Sequence, residues 1–140
     1  MHTISDLMTR DVRTLTGTST LLEAEKLMRE FHVRHIPVVD DDHRIVGVLS
    51  QREFLREAFR ITDKFGAHHL QDYLAKTQVG TCIASEICTL PADTPLQDAG
   101  RRLQDDKQGC LMVTDDTQHL LGIATSQDFV KLSMVLLTEH

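Results

Sequence analysis

Two short strings carry the residue types best suited to holding a small ligand. In Gly122-Ile123-Ala124-Thr125-Ser126-Gln127-Asp128 and Gly47-Val48-Leu49-Ser50-Gln51-Arg52-Glu53, an apolar stretch ends at a hydroxyl residue and an acid follows three positions later. A carboxylate one helical turn beyond a strand end can accept two hydrogen bonds from a sugar cis-diol. The hydroxyl and the free backbone N–H groups at a helix start suit a phosphate. The same Ser/Thr-x-x-Glu/Asp spacing also caps helices, because the first turn leaves N–H groups without partners. Both readings stand for both strings.

Phosphate also calls for cations. The clustered candidates beside an apolar run are Arg34 and His35 in His32-Val33-Arg34-His35-Ile36-Pro37. A guanidinium grips phosphate through two parallel hydrogen bonds, and an imidazole adds a neutral donor or, when protonated, a charge. An exposed, solvated Arg34 is the competing reading. The corresponding string in the second half, Gln108-Gly109-Cys110, has no charge.

Catalytic chemistry finds no foothold. No Ser-His-Asp or Cys-His arrangement follows from spacing, and no glycine-rich phosphate loop is present. Adjacent His68 and His69 would point to different faces of a helix, which disfavours a shared metal. Cys82, Cys88 and Cys110 form no Cys-x-x-Cys pair and read as free thiols of a reducing compartment. We expect no enzyme, no catalytic residue, no metal and no required cofactor.

The elements that must position these residues come from an internal repeat. Shifting the 140-residue chain by 75 positions superposes Met8–Arg56 on Ile83–Lys131 without a gap, with Thr14/Thr89, Leu15/Leu90, Ala24/Ala99, Val38/Val113, Asp40/Asp115 and Gly47/Gly122 among the identities. Each copy has an extended stretch (Val12–Leu15, Ile87–Leu90) and a helix-start signal (Thr18-Ser19-Thr20, Asp93-Thr94-Pro95), with Pro95 expected at the first helical position. The following helix has its apolar face at Leu21, Ala24, Leu27, Met28 and Phe31 in the first copy and at Leu96, Ala99 and Leu103 in the second. Two short apolar runs flank the acidic turns Asp40-Asp41-Asp42 and Asp115-Asp116-Thr117, and a second helix begins near Gln51 and Ser126. The spacing predicts an α+β fold of two βαββα repeats packed sheet to sheet around a pseudo-two-fold axis over a common core. Repeat 1 spans 1–60, a helix-turn-helix connector 61–78 and repeat 2 79–140, the three together forming one domain.

The Pro-Val-Val-Asp run at Pro37–Asp40, the order of elements and the two Gly-apolar-apolar-(Ser/Thr)-x-x-acid strings together resemble the cystathionine β-synthase (CBS) repeat. The resemblance covers nearly the whole chain, including the lead-in Ile4–Thr9, and identifies a tandem CBS pair, or Bateman module. It implies related clefts between the repeats that hold adenosine-containing ligands such as AMP, ADP, ATP or S-adenosylmethionine, and a homodimer. The resemblance assigns Thr125 to the phosphate side and Asp128 to the ribose, with Gln127 inside the same motif. It places adenine against Ile87, Thr89, Leu111 and Met112, with Arg34 and His35 as basic help across the pseudo-two-fold. A second cleft would use Val12, Thr14, Ile36, Ser50 and Glu53. There the family prefers aspartate, and the longer Glu53 makes the better capping box, so capping is favoured at that site.

The function these readings support is a regulatory, energy-sensing module that signals to an effector protein in trans. The alternative is a ligand-free dimerisation or protein-interaction module. The net charge of -6 argues against nucleic acid and anionic membranes. No apolar run approaches the ~20 residues that span a bilayer, and the amino end has no basic-then-apolar leader, so a cytoplasmic protein is expected.

Overall fold

Branched residues and a tight acidic turn make the first hairpin. In the computed structural model, which describes residues 2–138, β1 (His35–Val39) pairs antiparallel with β2 (Ile45–Ser50), from His35 opposite Ser50 to Val39 opposite Ile45. Asp40 closes the turn by accepting the backbone N–H groups of Asp42 and Arg44, each at 2.9 Å, while His43 takes a left-handed φ of 63°. The second hairpin repeats this: β4 (Cys110–Thr114) and β5 (Leu120–Thr125) are joined by a turn in which Asp115 accepts from Thr117 and His119, each at 2.9 Å.

The extended stretches ahead of the first helices differ between the copies. In the second, β3 (Cys88–Leu90) pairs in parallel with β4. In the first, the strand expected over Val12–Leu15 shrinks to one bridge, with the Leu15 N–H donating to the Pro37 carbonyl at 3.1 Å and Val39 donating back at 2.8 Å. Pro37 is the cause. It occupies the position of Met112 and has no N–H, so the next rung of a parallel ladder is missing its donor.

Helix α2 (Leu21–Phe31) starts at Thr20, whose hydroxyl accepts the Glu23 N–H at 3.2 Å. Leu21 and Ala24 are buried and Leu27 and Met28 pack against the core, whereas Phe31 at the end of the expected stripe is 43% exposed under the Arg13 guanidinium. Its counterpart α5 (Leu96–Asp105) begins one residue later than expected, with Pro95 in the cap position and the Thr94 hydroxyl donating to the Pro91 carbonyl. Helix α3 (Gln51–Phe65) runs unbroken from repeat 1 into the expected connector, across positions 60 and 61, and ends at Gly66, whose φ is 90°. After a 3-10 turn comes α4 (Leu70–Lys76), and stacking of Phe65 on Tyr73 at 3.9 Å closes this helix, turn, helix. Helix α6 (Ser126–Thr138) follows β5 directly.

These elements group into two units that exchange their lead-in segments: Arg13–Glu86, and Met1–Val12 with Ile87–His140. Met1, Glu139 and His140, at the ends of the assigned repeats, lie outside the described residues. In the first unit Leu21, Ile36, Val38, Leu49, Ile61, Leu74 and Val79 form one buried cluster; in the second Ile4, Met8, Leu90, Ala99, Leu111, Val113 and Ala124 form another. The string Ile4–Thr9 suggested a short helical lead-in, and α1 (Ile4–Leu7) is that helix, but it groups with the second unit and not with repeat 1, to which the sequence assigned it. Thr9 and Ile123 exchange two backbone hydrogen bonds at 2.8 and 3.0 Å, and Ala84 and Val48 do the same in the first unit at 3.0 and 3.1 Å. Each lead-in lies over a glycine. A Cβ on Gly122 would stand 2.8 Å from the Thr9 carbonyl oxygen, and one on Gly47 would stand 2.8 Å from that of Ala84.

Candidate functional site

In both units the hairpin brings the candidate residues to one end of the sheet. His35 pairs with Ser50, so Arg34, His35 and the start of α3 are neighbours, and the Gln51 N–H donates to the Arg34 carbonyl at 2.8 Å. Arg34 is exposed and His35 half-buried. The structure therefore joins these two residues to the helix start of their own repeat. In the second unit Cys110 pairs with Thr125, which sets Gly109, with a φ of 67°, beside the start of α6.

The two helix starts use opposite halves of the capping arrangement. The buried Ser50 hydroxyl accepts the Glu53 N–H at 3.3 Å. Asp128 instead uses its side chain, accepting the Thr125 N–H on Oδ2 at 2.9 Å. The consequence is uneven. Oε2 of Glu53 is buried with no hydrogen-bond partner among the described residues, and Oε1 stands 3.9 Å from Nη2 of Arg52. A buried acceptor left unpaired costs about 1–3 kcal/mol, which a donor from a ligand would recover.

The remaining residues of the expected sites divide by burial. Leu111, Met112 and Ile36 are fully buried, and Leu111 belongs to the core cluster of its unit. Ile87, Thr89, Val12 and Thr14 are half-buried, and Gln127 is exposed. Thr89 sits opposite Met112 in the parallel pair β3–β4.

The second repeat also has charges near its strands that the sequence reading missed. Asp106, just past α5, accepts the Cys110 N–H on Oδ2 at 3.1 Å. Burial pushes the Cys110 thiol well above its ordinary pKa, and the carboxylates of Asp106 and Asp128 push it further. The Cys88 thiol is raised mainly by burial, and the charge of Arg102 pulls it back down. Arg102 thus supplies a cation beside β3. Its place at the flank of the apolar stripe of α5, four residues before Asp106, was the available signal.

Known proteins share this architecture. The CBS domain family model matches residues 4–60 and 79–135, and the chain belongs to the CBS domain family. AcuB of Vibrio cholerae is 30% identical, superposes with a TM-score of 0.82, and is covered over 94% of its length by 99% of this chain. CBSX2, a CBS-pair protein of Arabidopsis thaliana, is 26% identical with a TM-score of 0.82, over 98% of this chain and 97% of that one. CBSX2 has also been solved with AMP, at 26% identity and a TM-score of 0.77. Among curated relatives, inosine-5'-monophosphate dehydrogenase of Bifidobacterium longum is 29% identical over 89% of this chain. The chain spans about a fifth of that dehydrogenase, 21% of its length, so the match is to a part of it. No described helix is long and apolar enough to cross a membrane.

Proposed function

We propose that the chain is a regulatory module that binds an adenosine-containing ligand, AMP, ADP, ATP or S-adenosylmethionine, and signals to a partner protein in trans. The observation that carries this reading is the pair of helix starts at Ser50–Glu53 and Thr125–Asp128. Each presents a hydroxyl and an acid one turn into a helix at a strand end, in a chain built like the AMP-bound CBSX2. Asp128 keeps Oδ1 for a ribose hydroxyl while Oδ2 holds the cap, and Glu53 offers the unpartnered Oε2. Arg34 and His35 supply the phosphate side, with Arg102 a further cation. Binding shifts a partner only if it favours one state of the module over another. The module needs no metal or cofactor and catalyses no reaction under this reading, and it works as a cytoplasmic homodimer. Exposed Val130, Met134 and Leu137 on α6 are the residues to examine for self-association.

Calorimetric titration of the wild type, Asp128→Ala and Arg34→Ala with the four ligands tests the proposal. Saturable binding by the wild type, weakened about tenfold or more in the variants, is expected. No saturable binding of any ligand at about millimolar concentration overturns it. A second reading, a ligand-free interaction module, is favoured by one observation: the Asp128 carboxylate is already engaged as a helix cap.

A further inference from the structure

The offset of 75 residues between the repeats sets the two helix starts side by side, place for place. Where the first unit has Arg34, His35 and Arg52, the second has Gly109, Cys110 and Gln127, so each basic residue is matched by an uncharged one. Where the first has Phe31, the second has Asp106. The hairpins gather these differences at one end. Cys110 and Thr125 form a cross-strand pair, and a carboxylate accepts the backbone N–H of each, Asp106 at 3.1 Å and Asp128 at 2.9 Å. Both acids are half-buried, and both act on the Cys110 thiol. The corresponding pair, His35 and Ser50, has one acid, Glu53, with exposed Arg34 preceding His35 and exposed Arg52 preceding Glu53.

Arg102 offsets part of the negative charge of the second start, because it acts on Cys88 and stands about one turn before Asp106. Exposed charges further out balance in number, Lys107 with Asp105 in the second unit and Arg13 with Glu30 in the first. The second start is left with two acids against one guanidinium, and the first with two guanidiniums against one acid.

We propose that the two starts divide adenosine ligands by charge, the Ser50 start taking a phosphorylated one and the Thr125 start one without phosphate, preferring the cationic sulfonium of S-adenosylmethionine to neutral adenosine. The division rests on the adenosine-ligand reading above and adds which chemistry each start accepts. A phosphate at the Thr125 start meets two half-buried carboxylates, which repel it more than one guanidinium attracts it; the same pair attracts a sulfonium. At the Ser50 start a phosphate gains two guanidiniums, whereas a sulfonium meets like charge.

Calorimetric titration of the intact protein with AMP, adenosine and S-adenosylmethionine tests this on the wild type, Arg34→Gln, Asp106→Asn and Asp128→Ala, with thermal melting as the folding control. Arg34→Gln should weaken AMP about tenfold or more and leave S-adenosylmethionine unchanged, and Asp128→Ala should do the reverse. Asp106→Asn keeps an acceptor for the Cys110 N–H and so changes the charge alone. It should weaken S-adenosylmethionine about tenfold, leave adenosine unchanged and admit a second AMP. If Arg34→Gln and Asp128→Ala weaken AMP and S-adenosylmethionine alike, or Asp106→Asn leaves the ratio of their affinities unchanged, the division is overturned while the adenosine-ligand reading stands. No saturable binding of any of the three overturns both.

Discussion

Asp128 accepts the backbone N–H of Thr125 on Oδ2 at 2.9 Å, so the acid assigned to a ribose also stabilises the first turn of α6 in the unliganded chain. Asp128→Ala therefore removes a cap as well as a ligand contact, and should lower unfolding free energy by about 0.5–2 kcal/mol. Asp128→Asn keeps an acceptor and should recover most of that in a urea titration. An Ala variant as stable as the wild type would show that the cap is unimportant.

Glu53 should behave in the opposite way. Oε2 is buried without a partner, so Glu53→Met, an apolar residue of similar length, should leave stability unchanged or raise it by about 1–3 kcal/mol. The same change should weaken adenosine-ligand binding. Stability that falls together with binding would mark Glu53 as a structural residue.

The glycines beneath the exchanged lead-ins are expected to resist substitution. A Cβ on Gly122 would stand 2.6 Å from the Met8 sulfur and 2.8 Å from the Thr9 oxygen, and one on Gly47 2.7 Å from Ile83 Cδ1 and 2.8 Å from the Ala84 oxygen. Each change to Ala should cost about 1–3 kcal/mol, because the opposing backbone oxygens are held in hydrogen bonds and cannot step aside. At Gly17 the nearest atom is 3.9 Å away, and Gly17→Ala should be neutral or stabilising by about 0.4–1 kcal/mol. Thermal melts of the three variants separate these outcomes.

The turns should show in acid. The Asp115 carboxyl is held below its ordinary range first by the backbone N–H of His119 and then by hydrogen bonds from Thr117, and Asp6 by the N–H groups of His2 and Thr3. A carboxylate with a depressed folded-state pKa adds stability above its unfolded pKa, near 4, and that contribution disappears as the pH falls through the lower folded value. Asp115→Asn should therefore destabilise the protein less at pH 3 than at pH 7, measured by urea midpoints. A constant difference at both pH values would contradict this.

The repeat and most of its elements were legible in the sequence, because branched runs, acidic turns and hydroxyl caps act over a few residues. Pro37 shows where that legibility stopped. The apolar pattern of Val12–Leu15 suggested a strand, but the missing donor matters only when the opposite chain is in place. The candidate helix starts could be read from spacing alone, whereas the half of the cap each one uses could not, since the two halves engage different N–H groups and can form together, as they do between Thr20 and Glu23, so the spacing is the same whichever is made. Arg102 escaped the sequence reading because its neighbour Cys88 lies on β3, on the other side of α5 in the chain, whereas Asp106 stands only four residues before Cys110 and its role depends on the turn between α5 and β4.

By itself, then, the order of residues determined two copies of one unit, their turns, and the acid at each helix start. Tertiary structure alone decided that the lead-in of each copy would cover the glycine of the other, and that Glu53 would hold a buried oxygen without a partner. The physical reason is range. Local hydrogen bonds and periodic burial are written in adjacent residues, but which backbone closes over Gly47 or Gly122, and which carboxylate oxygen loses its water, depends on segments separated by scores of residues.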